Sequence, residues 1–410
     1  MTSSILNTNL SDFISRMNIT NLEIPSTKQE EWRFTDLNFL KNKQYNSTNS
    51  LKTDSLNNKS KSNQKNQIHI INNITKNRLK NINSINGLDI LNMNSALKKY
   101  PQIFKNYFSK IYPYKNDYFC SQNLLNINDG IFILIKKNAD IKFPLECIFS
   151  TLGIDLKIMP RIFIYCSSNS NFSFIEKYIS NNNSNSYTNV ITEIYLEENS
   201  SIEYLKLQSE SKSSTHFSGL GIYQEKNSSI NCHTLTKETG FTRNNIFSKL
   251  NGQGSECKLN GLSIGSDTNF IDNHSIIQHS APHSISSELY KGIYSDSSKG
   301  VFDAKVIVDD NASKIDSEQL NNNILLSKEA SVHSNPRLEI NTDDVSCKHG
   351  STTGQLENEP LFYIRSRGFS IQDAQKILLN GFCSEFIDNM ANPEIRNSCS
   401  DIIKKYITNV

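Results

Sequence analysis

No stretch of the 410 residues approaches the roughly 20 consecutive apolar positions that a membrane-spanning helix needs. Tryptophan occurs once, and none of the eight cysteines falls in a C-x-x-C pair, which argues against a disulfide framework or a structural zinc site. Charge of one sign is lacking too. The 43 basic and 41 acidic residues leave a formal net charge of +2, so nothing general draws the chain to nucleic acid or an anionic membrane. No G-x-x-x-x-G-K-[ST] loop occurs, so ATP hydrolysis cannot be assigned to this chain. G-x-S-x-G and H-E-x-x-H are absent as well. Residues 1–20 lack a basic segment followed by an apolar one and carry Asp12, so the expectation is a protein neither secreted nor imported.

What is present falls into three regions. Residues 1–116 read as helical, with an amphipathic stretch near 7–17 and another helical stretch over 90–108. Residues 41–67 are dominated by Asn, Lys and Ser and carry too little apolar surface to offset ordering, which predicts a disordered insert. Over 117–350 the hydrophobic period changes to two. Runs rich in Ile, Phe, Tyr and Val, as in 130–135, 161–166, 190–196 and 201–207, predict strands. Asn199-Ser200-Ser201-Ile202 recurs unchanged at Asn227-Ser228-Ser229-Ile230, each copy between apolar runs. Looser versions occur at 168–174, 252–258, 310–316 and 328–334. A polar corner between short strands at rung-like spacing favours a β-helix over a sandwich or barrel. Residues 351–410 return to helical spacing. Ser370 is placed to cap one helix, and Asn392-Pro393-Glu394 to open another.

Few residues carry candidate chemistry. Cys347 and His349 lie two apart, so on a strand they share a face, and a thiolate with an imidazole can contact iron. A buried cysteine beside a hydrogen-bonded histidine is the competing reading. His274, His279 and His283 cluster within ten residues, but Pro282 interrupts them and no single strand face presents all three. They read as polar residues of a turn rather than a metal site. Arg365 and Arg367 flank Ser366 and either grip a partner or pin the domain boundary through ion pairs with Glu357 or Glu359.

The segment DDVSCKHG at 343–350, running into STTGQLENEPLFYIRSRG at 351–368, resembles the signature of the SufB/SufD family of the SUF iron–sulfur cluster assembly system. So do KGIYSDSSKGVFDAKVIV from Lys291, the stretch 314–340, GFCSEF at 381–386 and PSTKQEEWRFTDL at 25–37. SufB proteins carry a cysteine where this chain has Asn341, and a His-Glu-Ala pattern where it has His349-Gly350-Ser351, so the resemblance is to the SufD branch. It implies a right-handed parallel β-helix core flanked by N- and C-terminal helical domains, and a scaffold rather than an enzyme. It further implies pairing with SufB, docking of the SufC ATPase on the C-terminal helices, and iron or a nascent cluster held in passing by His349, with Cys347, and by ligands from SufB. No stably bound cofactor is expected, a homodimer is possible without SufB, and the setting is a bacterial cytoplasm or a plastid stroma. Two rival readings are a β-helix enzyme acting on polysaccharide and a metal-free structural adaptor.

Overall fold

A computed structural model of the chain describes residues 9–17, 19, 22–47, 66–73, 85–113, 115, 117–127, 130–181, 184–237 and 239–409. Its centre is a parallel β-solenoid of about 8 turns, flanked by helices at both ends of the chain. Successive strands alternate between two sheets. In spatial order the first sheet holds Leu88–Asn92, Ile131–Ile135, Arg161–Cys166, Tyr187–Leu196, Thr215–Gln224, Phe241–Leu250, Phe270–His279, Lys299–Val308 and Ser331–Ile340. The second holds Gln67–Ile71, Asp140–Thr151, Asn171–Ser180, Ser201–Ser209, Ser229–Lys237, Glu256–Gly265, Ile285–Tyr294, Ile315–Leu325 and Val345–Gly354.

The repeated Asn-Ser-Ser-Ile is a corner of this coil. Ser201 pairs with Ser229 and Ile202 with Ile230, in register. Asn138, Asn169, Asn199 and Asn227 occupy the left-handed backbone region, with φ of 60°, 58°, 58° and 53°. Asparagine tolerates that conformation better than most residues. Each aligned corner also hands a hydrogen bond down the stack: the Nδ2 of Asn169, Asn199 and Asn227 donates to the Oδ1 of the asparagine one coil back, at 3.0, 3.1 and 3.2 Å. The same corner then passes to Gly254, His283 and Lys314, also at positive φ.

Inward positions build the core. Phe172, Ile202, Ile230 and Cys257 stack in one column, and Phe174, Tyr204, Cys232 and Leu259 in the next. Fully burying each large apolar side chain contributes about 1.5–3 kcal/mol. The outer face of the second sheet, through Leu205, Leu207, Leu235, Leu262 and Ile293, is covered by two long helices, Ile371–Asp388 and Pro393–Asn409, which press Leu379, Cys383, Phe386, Cys399 and Ile403 onto it. The first sheet is covered near its start by helices Met93–Lys99, Pro101–Tyr107 and Tyr118–Leu125, with Phe104 and Phe108 against Phe132 and Phe163. A fully buried ion pair ties this cover down. Arg161 donates to Glu193 at 2.7 Å, and the carboxylate also takes the amides of Ser109, Ile111 and Tyr112.

Several boundaries differ from the sequence reading. Region 1–116 is not purely helical, because Gln67–Ile71 pairs with the strand at 140–151 and Leu88–Asn92 pairs antiparallel with Ile131–Ile135. Both strands are five residues long, too short for their alternation to stand out. The helix Tyr118–Leu125 opens what read as the β block; Asp117 caps it, accepting the Cys120 amide at 2.7 Å. Most of the segment expected to be a disordered insert, 48–65, lies outside the described residues. Its described flanks are ordered: Asn46–Ser47 pairs with Leu156 and Lys157, and Gln67 begins a strand. At the other end the last strand continues to Gly354, beyond the boundary expected at 350.

Candidate functional site

The two ends of the solenoid are finished differently. At the N-terminal end Ile68, Ile70, Leu88 and Ile90 are almost fully buried. At the C-terminal end Ser331–Ile340 and Val345–Gly354 each pair on one side only, which leaves two free edges side by side. The inward residues of this last coil, including Leu338, Val345 and Cys347, are only partly buried, and Ile340 is 40% exposed. Pro336 lies on the first of these strands, where a sheet tolerates proline because it is an edge.

Cys347 and His349 both stand on this last coil. Cys347 pairs in register with Ser317, and His349 with Gln319. The same-face neighbours Ser351 and Thr353 fix the direction. The Ser351 hydroxyl donates across the lumen to Ser334 at 2.8 Å, and Thr353 accepts from Asn323 at 3.3 Å. Cys347 and His349 therefore share the lumen side of the final strand, as their spacing predicts. Cys347 packs on the end of the core, and burial, with Asp316 adding to it, raises its thiol above the ordinary range. His349 is exposed at the open mouth. The columns behind them are polar: Ser286 and Ser317 share a hydrogen bond of 2.8 Å, and Gln319 Nε2 donates to Glu288 Oε2 at 2.5 Å. Sequence reading missed Glu288 and Gln319, since alternation shows which residues share a face but not that the face is the lumen.

The three clustered histidines do separate. His274 pairs with Asp272 at 3.0 Å, His279 is buried between the hydroxyls of Ser284 and Ser286, and His283 is a left-handed corner residue. Among the described residues no group of three or more His, Cys, Asp and Glu side chains could hold a metal.

Arg365 and Arg367 lie at the end of the helix Asn358–Ser366, both exposed. Neither forms the ion pair with Glu357 or Glu359 that the boundary reading expects. Arg367 instead stacks over the Tyr363 ring at 4.9 Å and donates to its hydroxyl at 2.7 Å. This helix buries none of its own residues. Phe362 is 75% exposed and Tyr363 59%, and Phe369, Ile371 and Ile377 extend the apolar surface. Exposed aromatics so grouped form a candidate contact surface.

The Trp32 segment reaches the same end from the other side. Trp32 is buried under the Arg243 guanidinium, 3.6 Å away, and Arg243 pairs with Asp272 at 2.7 Å. Glu30 pairs at 3.1 Å with Arg337, which also pairs with Asp303, and Phe34 stacks on His333. Residues 25–37 thus clasp the outer face of the last strand of the first sheet.

The fold is that of a helix-flanked parallel β-solenoid protein whose last coil carries a thiol and an imidazole at its open mouth. Comparison with known proteins makes this specific. The family model described as the SUF system FeS cluster assembly SufBD core domain matches residues 150–382, and the SufBD N-terminal region model matches 3–147. The chain belongs to the SufBD family of iron–sulfur cluster assembly proteins. It is 30% identical over 285 residues to an iron–sulfur cluster assembly SufBD family protein of Synechocystis, covering 67% of this chain and 63% of the relative. To the iron–sulfur cluster assembly protein SufD of Escherichia coli it is 31% identical over 222 residues, 54% of this chain and 52% of the relative. To the chloroplastic protein ABCI7 of Arabidopsis thaliana it is 29% identical over 247 residues, 60% and 52% of the respective lengths. The matches thus span between about half and two thirds of these relatives. Among the described residues no helix is long and apolar enough to cross a membrane.

Proposed function

We propose that this protein is a non-catalytic, SufD-type scaffold that completes its unfinished end with a SufB-type subunit and helps to hold iron or a nascent iron–sulfur cluster at the join. One observation carries the reading: the two free edge strands lie side by side, with Cys347 and His349 on their lumen face. A partner that adds its own last strands gains main-chain hydrogen bonds along ten-residue edges and covers the apolar mouth. His349, with Cys347, then faces ligands from the partner. Iron is the cargo here and not a resident cofactor. A thiolate and an imidazole are ligands it accepts, and the second chain supplies the remainder of the set.

The exposed aromatic surface around Phe362 and Tyr363 is the proposed dock for a SufC-type ATPase, with Arg365 and Arg367 at its rim. Hydrolysis belongs to that partner, since this sequence has no phosphate-binding loop. The cytoplasm of a bacterium or the stroma of a plastid is the proposed setting. The named relatives include both a bacterial SufD and a chloroplastic protein.

The test is co-expression with SufB- and SufC-type subunits, then purification through this chain and analysis of stoichiometry, iron and sulfide. A stable complex carrying iron and sulfide is expected. A complex that assembles yet never carries either, under conditions that mature iron–sulfur enzymes, would leave a metal-free adaptor. A chain that binds neither subunit overturns the scaffold reading.

A further inference from the structure

His349 ends a file of side chains along the inside of the second sheet. Glu288 pairs in register with Gln319, and Gln319 with His349, on the inward face of three successive coils. The first two are closed off from solvent, at 2% and 0% exposure. Their contact is made: the Gln319 amide nitrogen donates to one Glu288 oxygen at 2.5 Å. That bond fixes which way the amide points. Its nitrogen is turned back towards Glu288, so its carbonyl oxygen is the end left for the next coil. That Oε1 is buried and has no hydrogen-bond partner among the described residues, the exposed His349 ring included. A buried carbonyl without a donor is unfavourable, so a donor able to turn onto it is favoured there. The inward residues facing this level from the other sheet, Ala304, Pro336 and Leu338, carry none. The next inward side chain on the ladder, one strand spacing away, is the imidazole of His349.

We infer that Gln319 is a positioning residue for His349: a turn of the exposed imidazole brings one ring N–H onto the unpartnered Gln319 Oε1, and Glu288 sets the amide so that the oxygen faces the ring. The other ring nitrogen then keeps its lone pair and turns it outward to the mouth. An imidazole whose inner nitrogen is protonated and tethered is a prepared ligand for a borderline metal such as Fe²⁺. Burial raises the Glu288 carboxyl to about 7, while hydrogen bonds from Ser275 and Gln319 pull the other way. Ionised or neutral, the acid keeps an oxygen that can accept from the amide nitrogen.

The inference rests on the reading of His349 as a ligand, but the tether itself can be measured without iron. In the full chain labelled with ¹⁵N-histidine, the ring-nitrogen shifts of His349, assigned by their loss in His349→Ala, report which nitrogen carries the proton. One neutral tautomer is expected in the native chain. Gln319→Leu, which keeps the volume and removes the acceptor, is expected to give averaged tautomers. Gln319→Glu restores an acceptor and is expected to keep one tautomer. Glu288→Gln, which leaves position 319 untouched, frees the amide to invert and is expected to give averaging, so the idea remains testable if Gln319→Leu does not fold. With Co²⁺ as a spectroscopic probe in the assembled complex, Gln319→Leu should weaken binding about 10–100-fold. Averaged tautomers in the native chain, or an unchanged single tautomer in both Gln319→Leu and Glu288→Gln, overturn the tether. If the tether holds but His349→Ala complexes assemble clusters normally, the positioning stands and the ligand reading falls. The converse pattern removes the tether and keeps the ligand.

Discussion

Replacing His349 with alanine separates a ligand from a structural residue, because the structure predicts opposite outcomes for stability and function. A buried, hydrogen-bonded histidine would cost about 1–3 kcal/mol when truncated. His349 is exposed at the mouth of the last coil, and truncating it opens Gln319 Oε1 to water, which can take over the imidazole's place as donor. The expected change is that of a surface substitution, within about 0.5 kcal/mol. Domains of 150–250 residues shift by about 2–4 °C per kcal/mol, and a longer chain shifts less, so the melting temperature should move by no more than about 2 °C. The complex should form at normal yield. Iron and sulfide in the purified complex should nonetheless fall, and dependent iron–sulfur enzymes should stay inactive. His349→Cys should recover more than His349→Ala, since a thiolate also binds iron. The assays are differential scanning fluorimetry, subunit stoichiometry and iron analysis on one preparation. A normally melting His349→Ala complex with full iron content refutes the ligand role. A drop of several degrees with loss of the complex shows that the histidine holds the fold.

Three further outcomes follow from the same geometry. Of the eight cysteines only Cys347 is not fully buried, so brief alkylation of the native chain should give one adduct there. Because burial raises that thiol, the reaction should be slow at neutral pH and quicken as pH rises, and pairing with SufB should protect it; equal labelling in the complex would place the seam elsewhere. The double substitution Phe362→Ser with Tyr363→Ser should abolish capture of the SufC-type ATPase while leaving SufB pairing and the melting temperature nearly unchanged, and retained capture in a pull-down would move the dock off this helix. Burial alone would raise Asp272, but Arg243, His274 and Thr35 outweigh it and hold the carboxyl at about 2, against an ordinary 3.8. A folded-state pKa that is depressed stabilises above the unfolded value and is lost as pH falls from about 4 towards 2. The shift corresponds to about 2–3 kcal/mol in that window, and urea unfolding of Asp272→Asn should lack this part of the acid dependence.

The coil itself was legible because its corner makes a chemical demand. A left-handed residue at each turn selects asparagine, the aligned side chains bond to one another, and so Asn-Ser-Ser-Ile recurs where the register repeats. The C-x-H spacing likewise placed Cys347 and His349 on one face without knowledge of the fold. Which face was the lumen could not be read. Tyr187–Leu196 is buried at every position because a helix covers one side and the coil interior the other, so its pattern has no polar side to mark the outside. For the same reason Glu288 and Gln319 look in the sequence like ordinary outward polar residues of a strand. The three histidines at 274, 279 and 283 illustrate the opposite error: close in sequence, they lie outside the coil, inside it and at its corner.

The asymmetry of the two ends is what the proposed partner would resolve. A solenoid has an unavoidable edge at each end, and an exposed edge over an apolar lumen invites indiscriminate pairing. At the N-terminal end the chain ends its own stack. The antiparallel strand Leu88–Asn92 breaks the parallel ladder, with Leu88 and Ile90 buried in the interior, and the helix that follows it packs Met93, Ala96 and Leu97 on the outer face of the first sheet. Among the described residues nothing comparable buries the inward positions of the C-terminal coil. The chain leaves the last strand at Gly354 and runs into a helix that packs on its neighbour Ile371–Asp388 rather than across the mouth. Leu338, Val345, Cys347 and Ile340 thus stay partly in solvent, although a few residues of cover would have buried them. The Trp32 segment could have supplied that cover, yet Glu30 and Phe34 engage only the outer face of the final strand, at Arg337 and His333, and brace it without closing it. On the proposed reading a second chain completes this coil, and the thiol and imidazole on it lie where the two would meet.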